Sequence, residues 1–168
     1  MKDISNEQQM NRAVTDLERS AAVNSSSGEY WILNRDRLFE EAMHSVYRVT
    51  LEHRDLSAED WADFRATVST LVAGGGTAWD NFVDTAAEKI LHCASDEWYS
   101  WVTACEYRST VQFLLDEFDA FESLAPHLRE LLDDAEESFR TYGPLLVPPG
   151  PEVPRGIPAE HWWWFIQA

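Results

Sequence analysis

The chain has 168 residues, with 30 Asp or Glu against 13 Lys or Arg, a formal net charge of -17 and an isoelectric point near 4.5. That balance argues against nucleic acid as a ligand, because DNA and RNA are held by cationic side chains that neutralise phosphates, and no stretch here clusters them. A disordered acidic tail is excluded as well. Residues are 45% hydrophobic and 12% aromatic, more than a chain too polar to fold carries, so one folded domain burying roughly 70% of its extended-chain surface is expected.

From residue 2 to about 142 the apolar positions recur at helical spacing, and runs that alternate with a period of two are missing. The first segment is the most polar, with a modest stripe of Met10, Ala13, Val14, Leu17 and Ala21 ahead of a polar loop at 24–28. The second is expected to start near Asn34 as N-cap, with Phe39, Ala42, Met43, Val46, Val49 and Thr50 on one face. The third opens at Ser57, gathers Trp61, Phe64, Val68, Leu71 and Val72, and stops at Gly74, Gly75 and Gly76. The triple glycine lacks both a GK[ST] after it and a strand before it, so it reads as helix termination and not as a phosphate loop.

The fourth segment has Thr77 as N-cap, Asp80 near the positive helix end, and Trp79, Phe82, Val83, Ala86, Ala87, Ile90 and Leu91 on a wide apolar face. A long segment follows over 95–124, with Trp98, Trp101, Val102, Cys105, Val111, Leu114, Leu115, Phe118 and Phe121; as one helix it spans about 43 Å. Pro126, suited to a first turn, opens the last helix, whose stripe is Leu128, Leu131, Leu132, Ala135, Phe139 and Tyr142 before Gly143 and Pro144 end it. The expectation is an all-α, single-domain bundle of five to six helices over residues 1–142. Residues 143–158 hold six of the seven prolines, which exclude helix and central strand. They form an extended arm, 143–168, ending in a Trp-rich segment packed on the body or on a partner.

Cys93 and Cys105 are too few for a disulfide framework and lack a zinc-site spacing; on one helix they would stand about 18 Å apart. Two reduced thiols in a cytoplasmic protein are expected. The first residues are acidic and polar, unlike a signal peptide, and no window approaches the 18 apolar residues of a membrane span.

Catalytic and metal-binding patterns are sparse. Glu41 and His44 form a Glu-x-x-His pair of the kind that carboxylate-bridged di-iron bundles use. The companion pair, Glu88 and His92, is spaced by four residues instead of three, so a site on Glu41, His44, Glu88 and His92 stands as an alternative only. Arg48 and His53 match the Arg-x-x-x-x-His of helical HEPN-type ribonucleases, but Val49 replaces the usual polar residue and the surface charge is wrong for RNA. Nucleophile elbow, HExxH and dinucleotide glycine patterns do not occur. The chain is expected to be non-catalytic, with no cofactor and no metal.

Two features point instead to binding. Between 116 and 137 lie nine acids (Asp116, Glu117, Asp119, Glu122, Glu130, Asp133, Asp134, Glu136, Glu137) and one base, Arg129. A one-signed face of this kind steers a basic partner, although it also serves simply to keep a protein soluble. The tail His161-Trp162-Trp163-Trp164-Phe165 presents three successive indoles that no single helix or strand face buries together. Such a tail is either clamped in a groove by its indole N–H groups or offered to a partner as a hot spot.

With its acidic run at 116–137 and its aromatic tail at 161–165, the chain resembles in type the immunity proteins that bacteria make against toxins, many of which are basic nucleases. The resemblance implies a stoichiometric inhibitor of a basic protein partner, with Asp119, Glu130, Asp133, Asp134 and Glu137 as electrostatic contacts and Trp163 and Phe165 as anchors. A regulatory or scaffolding protein that dimerises through the arm is the other binding alternative, so the chain is expected as a monomer or homodimer.

Overall fold

A computed structural model of the chain describes the backbone at residues 5–23, 29–52, 56–73, 77–93, 101–118, 126–142 and 153–166. The fold is all-α. Among the described residues there are six α-helices, α1 (Asn6–Ala22), α2 (Glu29–Glu52), α3 (Ala58–Ala73), α4 (Ala78–Cys93), α5 (Trp101–Glu117) and α6 (Pro126–Tyr142), then a 3-10 turn at Trp162–Trp164, and no strand. None of these helices is long and apolar enough to cross a membrane.

Local chemistry explains the starts of α1, α3 and α6. Ser5 closes a capping box on α1: its hydroxyl accepts from the Gln8 N–H at 3.3 Å while its own N–H donates to Gln8 Oε1 at 3.2 Å, satisfying two donors that the helix leaves open. Ser57 does related work for α3, accepting from the Asp60 N–H at 3.1 Å and donating its hydroxyl to Asp60 Oδ2 at 2.7 Å. Thr77 precedes α4, but its hydroxyl accepts from Arg35 Nη2 at 3.2 Å. Pro126 opens α6 and Tyr142 is its last residue, where proline at one end and Gly-Pro at the other place them.

Two expectations are corrected. α2 begins at Glu29, so Asn34 lies inside the helix, where its Oδ1 accepts from Arg37 Nη2 at 3.2 Å; an asparagine whose oxygen finds a partner one turn on has no need to cap. The long segment contributes a 17-residue helix of about 25 Å that stops at Glu117, with Phe118 just beyond it, while 95–100 and 119–124 lie outside the described residues. Phe118 is nevertheless buried, edge-on to Trp61 and Phe64. Apolar spacing marks which residues are covered, not where helical hydrogen bonding ends. The loop at 24–28, His53, Gly74 to Gly76, Trp98, Asp119, Glu122, Phe121 and the proline-rich stretch 143–152 lie outside the described residues.

The chain divides into two compact units: residues 1–82 with 113–122, and residues 83–112 with 123–168. In the first, α1 packs on α2 and α3. Its core is Ala13 and Leu17 of α1, Leu38, Phe39, Ala42, Met43, Val46 and Val49 of α2, and Phe64, Val68 and Val72 of α3. α1 buries Ala13, Asp16, Leu17 and Ser20, while Ala21 of the expected stripe is exposed. Asp16 is flanked by Arg12 at 3.7 Å and Arg19 at 3.4 Å, and the Ser20 hydroxyl donates to the Arg35 carbonyl at 3.0 Å. Asn81 reaches Asp36 Oδ2 at 2.9 Å. The second unit holds Val83–Cys93 of α4, Trp101–Gln112 of α5, all of α6 and the C-terminal segment, and the α6 part of the acidic run and the aromatic tail lie in it.

Candidate functional site

α6 separates its residues by chemistry. Leu128, Leu132, Ala135 and Phe139 are buried, and Glu130, Asp133, Asp134 and Glu137 are exposed. The acids are spaced i, i+3, i+4 and i+7, which at 3.6 residues per turn puts them in one stripe on the side opposite the core. Among the described residues none of these four carboxylates is ion-paired. Asp116 and Glu117 fall in the first unit.

Glu136 departs from the expectation that the whole acidic run faces outward unpaired. Its Oε1 accepts from Arg108 Nε at 2.7 Å and, in a very short contact, from Arg108 Nη2, and its Oε2 lies 4.0 Å from Arg140 Nη2. Each arginine also covers an indole: the Arg108 guanidinium lies 4.5 Å from the Trp163 ring and that of Arg140 lies 4.4 Å from the Trp162 ring. The carboxylate thus fixes Arg108 and lies near Arg140, and both cations hold the C-terminal segment through cation–π contacts. The side chains of Arg108 and Glu136 are only 11% and 19% exposed, so this pair is little screened by solvent.

The segment reaches α5 through tight turns. Ile157 N–H donates to Pro154 O at 3.3 Å, with Gly156 at φ 93 in the third position, where a type II turn requires positive φ. His161 N–H donates to Pro158 O at 3.1 Å, and the 3-10 turn follows. Trp163, Trp164 and His161 are buried, Trp162 is half-buried and Phe165 is 47% exposed. Trp164 stands edge-on to Trp101 at 5.5 Å, Trp162 lies 6.3 Å from Phe139, and His161 stacks on Trp163 at 4.8 Å.

Ser109 of α5 is the centre of this seat. It is fully buried, and its Oγ is 3.0 Å from Trp163 Nε1, 2.8 Å from Trp164 Nε1 and 3.0 Å from His161 Nδ1. A hydroxyl offers two lone pairs and one proton. The two indole N–H groups take both lone pairs, so the Ser109 proton goes to His161 Nδ1 and the imidazole is neutral, with its own proton on Nε2. Burial, reinforced by the Arg108 charge, pushes the His161 pKa down to about 4. Cys105 adds a weak S–H contact to the Trp163 carbonyl at 3.5 Å; burial first, then Cys93 and Glu106, pushes its pKa up, which keeps it a donor. Cys93 ends α4 and Cys105 lies on α5, both as buried free thiols, so the single-helix separation does not apply.

A serine 3.0 Å from an imidazole invites comparison with a nucleophile and its base. Here the oxygen's lone pairs are occupied and its surface is closed. The neighbouring cavity, walled by Ile90, Ala104, Phe139 and Trp162, measures about 10 Å³, room for one water at most. The pair holds the segment in place and has no access to a substrate.

The other sequence candidates are dispersed. Glu41 is paired with Arg37 at 2.8 Å, and His44 is half-buried on the same helix. Glu88 and His92 are exposed on the part of α4 that belongs to the second unit. No three His, Cys, Asp or Glu side chains among the described residues are placed to share a metal ion. Of the expected contacts, Glu130, Asp133, Asp134 and Glu137 form the α6 stripe, Phe165 is exposed, Trp163 is buried against Ser109, and Asp119 lies outside the described residues. Sequence reasoning missed Ser109, Arg108 and Glu136. The available signal was a surplus of indole donors with no acceptor assigned, and a serine four residues after Cys105 and eight after Trp101, on their helix face.

Comparison with protein-family models, with curated proteins and with solved structures finds no match for the chain.

Proposed function

We propose that this is a non-catalytic binding protein of the immunity or antitoxin-like kind, which occludes a basic protein partner such as a nuclease toxin through the carboxylate stripe of α6. The observation that carries the reading is the position of Glu130, Asp133, Asp134 and Glu137 on the helix face opposite Leu128, Leu132, Ala135 and Phe139, without a cation among them. Acids at i, i+3 and i+4 repel, each pair destabilising a helix by about 0.2–0.5 kcal/mol. A basic partner relieves that repulsion on binding. Phe165, 47% exposed at the end of the segment that Arg108, Arg140 and Ser109 hold in place, supplies an apolar contact of the kind that binding sites use. Trp163 contributes by fixing that segment.

Inhibition by occlusion needs no turnover. The stripe orients a cationic surface during encounter, which raises the association rate at low salt, and the bound protein then blocks that surface. The test is affinity capture with the intact protein from cells of its source at low ionic strength, followed by elution with increasing salt. The expected result is a basic protein released as the Debye length shortens from about 10 Å at 0.1 M toward 3 Å at 1 M, and lost when Asp133 and Asp134 are replaced by Asn. A captured partner that elutes independently of salt and binds the double variant equally well overturns the reading.

A further inference from the structure

We infer that the C-terminal segment is a proton-sensitive latch, seated on α5 by a hydrogen-bond node at Ser109 that admits His161 only as neutral imidazole, so that acid releases the segment. The inference is independent of what the α6 stripe binds. The valence of one oxygen carries it. Ser109 Oγ accepts from Trp163 Nε1 at 3.0 Å and Trp164 Nε1 at 2.8 Å and donates to His161 Nδ1 at 3.0 Å, so every bonding position of the hydroxyl is filled. A proton added to Nδ1 makes the imidazolium a third donor aimed at an oxygen with no lone pair left. The node then has to give up an indole bond and strand the hydroxyl proton, all in a closed site where unmade hydrogen bonds are expensive.

The surrounding charges act in the same direction. From α5, Arg108 lies over Trp163, the ring on which His161 stacks, and its charge disfavours the imidazolium. From α6, the Glu136 carboxylate is already engaged by Arg108 and approached by Arg140, and Arg140 covers Trp162. The Cys105 thiol is held protonated and donates to the Trp163 carbonyl. Within the segment, Arg155 and Glu160 are exposed, where solvent screens them. The docked state keeps its imidazole neutral down to about pH 4, against the ordinary 6.5 of a released histidine. Docking is therefore unaffected above pH 6.5, weakens as pH falls from 6.5 toward 4, and loses a factor on the order of 10² by the end of that window. Release uncovers Trp163, Trp164 and the Ser109 face of α5, converting a closed seat into an aromatic surface.

The experiment is a pH titration of the full chain labelled with ¹⁵N-histidine and ¹⁵N-tryptophan, followed by NMR alongside far-UV circular dichroism. At pH 7 the His161 ring nitrogens are expected to show the Nε2–H tautomer. Between pH 6.5 and 4 the Trp163 and Trp164 indole N–H signals should leave their docked positions together with His161 protonation, while the helical signal persists. In His161→Asn, which offers an oxygen near the Nδ1 position and does not titrate, that step should vanish. Indole signals that hold while His161 protonates near 6.5, an indole transition unchanged in His161→Asn, or loss of helix at the same pH as the indoles each overturns the inference. Should His161→Asn not fold, the wild-type coincidence of imidazole protonation and indole release, with helix retained, decides it alone.

Discussion

Ser109 shows how much one buried hydroxyl can organise. It satisfies two indoles and an imidazole with a single, fully buried oxygen. Replacing it with alanine strands the Trp163 and Trp164 N–H groups and the His161 Nδ1 acceptor, each worth about 1–3 kcal/mol when left unsatisfied in the interior. Ser109→Ala is therefore expected to lower unfolding free energy by roughly 3 kcal/mol, measured by urea denaturation at pH 7. A loss below about 0.5 kcal/mol would mean that the indoles find other acceptors. The linkage sign follows from the depressed native pKa: the unfolded chain takes up its proton first, so stability falls as pH drops from 6.5 to about 4.

At the scale of the helix, α6 combines a strong apolar stripe with a face that works against it. Its acids lie beyond the first turn, where the helix dipole does little to favour them, and Arg140 is the base of its last turn. Changing Asp133 and Asp134 to Asn is expected to leave thermal stability unchanged or raise it by a few tenths of a kcal/mol. Partner affinity should fall by about tenfold or more, with a weaker dependence on salt. A drop in stability would place these carboxylates in a structural role instead. Glu136 is the counterexample one turn away: Arg108 and Arg140 converge on it, so it cannot be exchanged with its neighbours. Adjacent acids on one helix thus divide between holding the C-terminal segment and facing solvent, and sequence alone does not tell them apart.

At the scale of the molecule, the C-terminal segment belongs to the second unit together with most of α4, the first part of α5 and all of α6. Truncation after Pro158 removes His161, Trp162, Trp163 and Trp164 from their seat, leaving Trp101 without Trp164, Phe139 without Trp162 and Ser109 without its three ring-nitrogen partners. Amide hydrogen exchange is expected to rise in α5 and α6 by at least tenfold, while the α1–α3 core, which belongs to the first unit, keeps its protection. Uniform exchange across all helices would show instead that the segment governs the stability of the whole chain.

The all-helical class, the end residues of α6 and the start of α3 were legible because they depend on local chemistry: apolar spacing near 3.6, proline and glycine at fixed offsets, and serine with an acid three residues on. The start of α2 and the end of α5 were not. Asn34 caps or sits mid-helix according to whether Arg37 takes its oxygen, and Phe118 is buried whether or not the helix reaches it. The acidic composition and the alignment of Glu130, Asp133, Asp134 and Glu137 follow from sequence alone, since helical geometry puts that spacing on one face. The recruitment of Glu136 by two arginines, the burial of Trp163 beside an exposed Phe165, and the convergence of three ring nitrogens on Ser109 were decided only by tertiary structure. Each joins residues 28 to 55 positions apart or rests on such a contact, and hydrogen bonding across that separation depends on which surfaces meet, which no local pattern encodes.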